Sequence, residues 1–220
     1  MQDVFIVGAG GWGREVLAQA RTEPDSDVKW QIKGFLDSRP NLHDGKNIGI
    51  PILGDPMTHQ VQADALYICA IGDPYARQKY IQPLRVQKAK FLTLRSHALL
   101  SPRNHIDLGT IICHRTQISP DVYLGQFVNI HSNTIISHDV KVGNFVQIGA
   151  MVFIGGNVEI NNFVTIHPGA IILPGIKIGE GATIGAGSVV IKNVPSGSTV
   201  FGNPARPVFS KNTLNNPIIQ

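Results

Sequence analysis

Two cysteines, Cys69 and Cys113, are all that the 220 residues contain. That is too few for a disulfide framework, and their spacing fits no metal-ligand cluster. Both are expected as small buried filler. Long apolar runs are missing too, since none approaches the roughly 20 residues that a membrane span needs. The opening MQDVFIVGAGGWG shows no basic leader and no cleavage site before its first strand, so the expected setting is cytoplasmic. Charge is sparse: Asp, Glu, Lys and Arg make up 15% of the chain, which suits structure dominated by packed strands. The net charge of +4 gathers into no basic stripe, and its densest group, RVQKAK at 85–90, reads as solvated surface. Nucleic acid is therefore not an expected partner. The slight positive excess does suit ligands that carry phosphate.

What the chain does have is a hydrophobic fraction of 43%, enough for a substantial core, arranged with two different periods. The first hundred residues alternate strand and helix. DVFIVGAG reads as a buried strand and WGREVLAQAR as a helix with Val16, Leu17 and Ala20 on its apolar side. IKGFLD and ALYICAIGD are further strands, YARQKYIQPLR a second helix, and KFLTL a short closing strand. Strands separated by helical segments predict a parallel sheet, an α/β domain of Rossmann-like type expected over 1–97.

From Ile106 the period changes to six. Every sixth residue from Ile106 to Val190 is Ile, Leu or Val, without interruption. From Val122 to Ala182 the residue four places after each marker is small or β-branched, and glycine often follows the marker directly, as at Gly125, Gly143 and Gly149. A six-residue repeat predicts a parallel β-helix, in which short strands stack as rungs and the apolar positions form interior columns. No single repeat can bury its apolar side, so stacking supplies the partner. This domain is expected over 98–220.

The repeats, together with NVPSGSTVFGNPARPV at 193–208, resemble the left-handed β-helix of hexapeptide-repeat acyltransferases, with three hexapeptides to a coil and a closing loop that helps bind acyl-coenzyme A. Coupled to the front half, the chain resembles the bacterial sugar acyltransferases, a family that includes the UDP-4-amino-sugar N-acetyltransferase of bacillosamine-type synthesis and the sialic acid O-acetyltransferase. The similarity runs from residue 2 to residue 208. It implies a homotrimer with acetyl-coenzyme A lying in a groove between neighbouring β-helices, and coenzyme contacts at Gln147, Gly156, His167, Pro168 and Ala186.

The segment GAGGWG, Gly8 to Gly13, satisfies G-x-G-x-x-G between a strand and a helix. Such a loop permits a tight turn, lets a phosphate approach closely and aims a helix N-terminus at it. Asp37 ends the next strand, where a dinucleotide fold places its ribose-reading acid. An NAD enzyme is one reading. Against it, only one mononucleotide-binding unit precedes the β-helix, which leaves no second half for a nicotinamide. A turn that binds nothing is another. The family resemblance implies a third, a nucleotide-sugar site with Gly10, Gly11, Trp12, Asp37, Ser38 and Gly72 as contacts, although relatives often carry histidine where Trp12 stands.

Residues 18 apart stand above one another if three hexapeptides make a coil. His131 and His167 then share a column with Gly149 between them, about 10 Å apart and too far to share a small ion. The related β-helical carbonic anhydrases add a third histidine where this chain has Ile172, so a metal site is not expected. His138 is different. Its column reads Pro120, His138, Gly156, Pro174, and the glycine suggests free space beside the imidazole for a reacting group. Histidine can accept a proton near neutral pH, and a neighbouring carboxylate can fix its tautomer and stabilise the imidazolium. Because neighbours on a strand point to opposite sides, a His138–Asp139 pair requires a turn at 137–139. The resemblance implies that His138 is the general base, Asp139 its supporting acid and His131 a substrate contact. His114 reads as surface, and His97 and His105 as linker.

The expected function is acetyl transfer from acetyl-coenzyme A to the amine of a nucleotide-linked, UDP-linked by resemblance, 4-amino-4,6-dideoxy sugar. The alternatives are sugar O-acetylation of the sialic-acid type and a non-catalytic trimeric nucleotide-sugar-binding protein.

Overall fold

The computed structural model describes residues 1–95 and 97–210; the tail over 211–220, expected to belong with the coenzyme-binding end, lies outside them. The chain divides into two compact units, one running to about residue 96 and joined by Leu108–Thr110, the other formed by the remainder. Leu94 N–H donates to the Thr110 carbonyl at 3.0 Å, which ties that short strip to the first unit. Among the described residues no helix is long and apolar enough to cross a membrane.

The first unit is built around β1 (Gln2–Val7), whose residues Val4 to Val7 are all buried. Such a run, apolar on both faces, is what a central parallel strand needs. It leads through Gly8–Gly10 into α1 (Gly11–Ala20), which packs Val16, Leu17 and Ala20 inward. The chain returns as β2 (Trp30–Leu36), then adds β3 (Ile52–Gly54), β4 (Leu66–Cys69), α2 (Pro74–Val86) and β5 (Lys90–Phe91). The sheet is parallel throughout, in the order β3-β2-β1-β4-β5. β3 was not foreseen, because IPILGDP is framed by prolines and reads as loop. α2 begins where Asp73 Oδ1 accepts the Ala76 N–H at 2.7 Å and Pro74 occupies the first turn, a strong N-terminal signal.

The second unit is a parallel β-helix of two-residue strands, running from β6 (Leu99–Leu100) to β21 (Val189–Val190). Ile136 pairs with Ile118 on one side and Ile154 on the other, and every such step is 18 residues. Three sheets result, one for each side of the coil, and β22 (Ser198–Phe201) with β23 (Arg206–Ser210) closes one of them. The six-residue markers from Ile112 onward fill the interior as a single apolar cluster with most of the residues four places after them, Thr116, Thr134 and Ser188 being buried polar exceptions. Thr134 interrupts it with a hydroxyl and satisfies that group by donating to the Gly149 carbonyl at 2.9 Å.

The coil turns its corners by a device not foreseen. Every sixth residue from Arg103 to Gly187 is left-handed, with φ between 55° and 73°. Asp121, Asn133, Asp139 and Asn157 suit that conformation, as do the glycines. Phe127, Phe145 and Phe163 do not, and they stack on one another with centroids 5.4 and 5.3 Å apart, so ring packing offsets the backbone cost. His105 also departs from expectation: it opens a rung of the first coil and stacks on Tyr123 rather than lying in a linker. His97 stacks on His114 at 5.0 Å in the same unit.

Candidate active site and nucleotide cleft

His138 and Asp139 occupy one corner of the β-helix. Asp139 is the left-handed residue of that corner, φ 59°, and this turn brings two adjacent side chains to the same side. His138 Nδ1 lies 2.8 Å from Asp139 Oδ2. A carboxylate can only accept, so Nδ1 carries the proton and Nε2 of the neutral ring keeps its lone pair. The His138 side chain is 61% exposed.

The expectation for Gly156 needs correction. A Cβ built on it would stand 2.7 Å from His138 Cε1 and 2.8 Å from Nε2. The glycine therefore does not leave a void for a reacting group; the imidazole itself occupies the room that a side chain would take. The ring is seated on the next coil.

His131 lies one side of the coil away, after the rung Asn129–Ile130. It is held in a chain in which Asn129 Nδ2 donates to Gln147 Oε1 at 3.0 Å and Gln147 Nε2 lies 2.7 Å from His131 Nε2. One N–H of the Gln147 amide is thus already engaged. His167 and Pro168 stand at this second corner, with Ala186 in register one coil above Pro168, all three exposed. The structure spreads the expected coenzyme residues over two corners: Gly156 beside His138, and His167 in the column of His131 with Pro168 and Ala186 in the next column, while Gln147 lies on a rung and reaches His131.

Cys69 is fully buried, and burial pushes its thiol up to about 12, so it supplies no thiolate at neutral pH. Cys113 is buried as well. Among the described residues no group of three or more His, Cys, Asp or Glu is placed to hold a metal ion.

In the first unit a cleft of about 450 Å³ opens at the carboxyl ends of β1, β2 and β4, the position at which an open parallel sheet binds its ligand. Gly10, Gly11 and Trp12 line it from the start of α1, Asp37, Ser38 and Arg39 from the end of β2, and Gly72 from the end of β4. The glycines of GAGGWG fall into two kinds. A Cβ on Gly13 would sit 2.0 Å from the Gly8 carbonyl oxygen, so Gly13 lets helix and strand pack closely. A Cβ on Gly10 or Gly72 would meet nothing within 4 Å, and one on Gly11 only the tip of Arg14 at 4.0 Å. Packing within the protein does not require glycine at those three positions. α1 has no side-chain cap, and a helix N-terminus attracts an anion.

Asp37 is 7% exposed and engaged on both oxygens. Oδ2 accepts from the Ala9 N–H and from Arg39 Nη2, each at 2.9 Å, while Oδ1 accepts from the Arg39 N–H at 3.0 Å and from Arg39 Nε at 2.9 Å. Burial pushes this carboxyl up, but the bonds from Arg39 and Ala9, with the Arg39 charge, hold it below the usual 3.8. An acid so occupied is not free to read ribose hydroxyls.

Arg77, which the sequence reading missed, is completely buried. Its Nε donates to the Ile71 carbonyl and its Nη2 to the Gly72 carbonyl, both at 2.8 Å. Burial pulls its guanidinium down to about 10, offset in part by Cys69 and Asp73, so it remains charged and fixes the loop that walls the cleft.

A parallel sheet with a ligand cleft, joined to a hexapeptide β-helix with a carboxylate-backed histidine, defines a class. Residues 3–84 match the PglD N-terminal domain, and residues 157–192 match the bacterial transferase hexapeptide model of six repeats. The chain is an acyltransferase whose front region is similar to the PglD N-terminal domain and whose repeats are similar to those of the bacterial hexapeptide transferases. No curated protein sequence matches it. Among solved structures it is similar to PerB from Caulobacter crescentus in complex with CoA and GDP-perosamine, with 25% identity, 94% of this chain and 97% of that one covered, and a TM-score of 0.83. It is also similar to the acetyltransferase domain of PglB from Neisseria gonorrhoeae in complex with acetyl coenzyme A, at 26% identity, 94% and 99% coverage and a TM-score of 0.81. WeeI from Acinetobacter baumannii, at 26% identity and 94% and 100% coverage, has a TM-score of 0.82.

Proposed function

We propose that the protein transfers the acetyl group of acetyl-coenzyme A to the amine of a nucleotide-linked 4-amino-4,6-dideoxy sugar, a step of bacterial glycan synthesis. The observation that carries this reading is the 2.8 Å bond from His138 Nδ1 to Asp139 Oδ2, which leaves Nε2 as an exposed base. The ligands of PerB and PglB support the two co-substrates.

The amine nitrogen attacks the thioester carbonyl carbon, and His138 Nε2 takes the proton that the nitrogen must lose. Asp139 stabilises the imidazolium so formed. The carbon–sulfur bond then breaks, and the thiolate leaves as coenzyme A, taking up a proton. The amide of Gly156, beside the ring, is the donor we assign to the thioester oxygen. Transfer is direct, with no acyl-enzyme.

The front cleft holds the nucleotide, its phosphates on the amides of Gly11 and Trp12. We assign Gln147, His167, Pro168 and Ala186 to the coenzyme and His131 to the substrate. The assembly is a homotrimer. Two observations support it. The expected coenzyme residues stand at two corners of the β-helix, so two copies can complete a site that one corner lacks. One outward face of the coil also carries Leu99, Ile135, Phe153 and Ile171 exposed in register, with Gln117 between the first two. The resemblance favours UDP, whereas PerB is in complex with a GDP-sugar. We place the reaction in the cytoplasm.

The test is an acetyl-transfer assay with acetyl-coenzyme A and a panel of UDP- and GDP-linked 4-amino sugars, followed by free thiol release and by product mass. N-acetylation of at least one 4-amino sugar is expected. Transfer only to sugar hydroxyls, or none at all, would contradict the reading.

A further inference from the structure

The Asp37–Arg39 pair has a geometry that the nucleotide reading alone does not use. An ionised carboxylate has about four lone-pair sites, and Asp37 spends four bonds within the protein: two on the Arg39 guanidinium, one on the Arg39 amide and one on the Ala9 amide. Nothing remains with which to grip a sugar. Arg39 is the other half of the arrangement. Its Nε–H and one Nη2–H are committed to Asp37 in a two-pronged bond, which fixes the plane of the guanidinium. The side chain is nevertheless 62% exposed and lines the cleft.

We propose that Arg39 is the platform on which the nucleobase of the bound nucleotide stacks, and that Asp37 is a positioning residue that holds this platform flat. The inference rests on the reading of the cleft as a nucleotide site. A guanidinium whose charge and fork are taken up by a carboxylate is a weak anchor for phosphate, but its planar faces remain available, and Arg stacks well on π-systems. The phosphates have a separate place, at the α1 N-terminus, where Gly10 and Gly11 leave open space. Pro56, Ile71 and Tyr80 line the same cleft as Arg39 and give the base an apolar and aromatic surround. The Ala9–Asp37 bond links the two parts, since the backbone that leads into the phosphate loop is the backbone that orients the platform.

Calorimetric titration of the full-length protein with UDP, GDP and inorganic pyrophosphate separates the possibilities. Arg39→Ala is expected to weaken the nucleoside diphosphate that the native protein binds by about 10-fold or more, the range of base stacking, and to leave pyrophosphate unchanged. Arg39→Lys, which keeps charge but not the plane, should be as weak, and Arg39→Tyr should recover part of the loss. Asp37→Asn should lose a similar factor, and the double variant should lose no more than either single one. Equal weakening of pyrophosphate with recovery by lysine would make Arg39 a phosphate anchor and overturn the proposal, as would native-like nucleotide affinity in Arg39→Ala. Native protein that binds neither nucleotide would overturn the reading of the cleft itself, and this proposal with it.

Discussion

The His138 imidazole is seated on Gly156: a side-chain atom on that glycine would lie within 2.8 Å of the ring's Nε2. The imidazole is thus positioned from two sides, by the Asp139 carboxylate at Nδ1 and by the bare backbone of the next coil. Gly156 has no left-handed backbone angle, so alanine is compatible with its conformation and acts on the ring alone. Gly156→Ala should lower kcat on the order of 10²-fold, the cost of misplacing a reacting group by about 1 Å. The melting temperature should stay close to native. An unimpaired kcat would mean that the ring's seat is irrelevant to turnover.

The cleft glycines lead to a different kind of effect. Gly11 faces open space, so Gly11→Val costs the free protein little and obstructs the ligand. The KM for the nucleotide sugar should rise sharply while the KM for acetyl-coenzyme A barely moves. Equal changes in both would place Gly11 outside the nucleotide site.

Asp37 links the cleft to acid stability. Its carboxyl is held below 3.8 in the folded protein, so its contribution is fully present above that value and is lost as pH falls through the lower native one. Asp37→Asn removes the contribution at all pH values. Melting temperatures of native and variant protein should therefore differ most near neutrality and converge as pH drops below 3.8. A difference that stays constant down to strong acid would contradict the bonding seen for Asp37.

The interior columns admit no charge. Ile148 is fully buried between Ile130 and Ile166 of the adjacent coils. Ile148→Lys places an ammonium there without a partner, at a cost of several kcal/mol, and the folded protein should be lost from the soluble fraction. A soluble variant with native melting behaviour would show that the column is not a core.

The sequence made the β-helix legible because a six-residue apolar period has few other solutions, and every interior marker from Ile112 onward is buried. The corners escaped notice because their signal is mixed. Asp121, Asn133 and Asp139 advertise left-handed backbone, but Phe127, Phe145 and Phe163 hold the same conformation against their own preference, with stacking as the reason. The His138–Asp139 pair was readable because adjacent residues can meet only at a turn. The seat on Gly156 was read as a space, since a column map gives register without ring orientation. In the front unit GAGGWG marked the cleft, whereas Asp37's role depends on where the Arg39 side chain folds back. Arg77 was invisible, because arginine on a surface helix ordinarily faces solvent and only tertiary contact with the Ile71 and Gly72 carbonyls draws it inward.

The central claim is that His138 Nε2 takes the proton of the attacking amine, and steady-state kinetics of His138→Ala at saturating substrates tests it most directly. The account predicts a fall in kcat of about 10²–10⁴-fold, the usual worth of a general base, with both KM values near native because the histidine acts mainly in the transition state. Near-native turnover in that variant would contradict it.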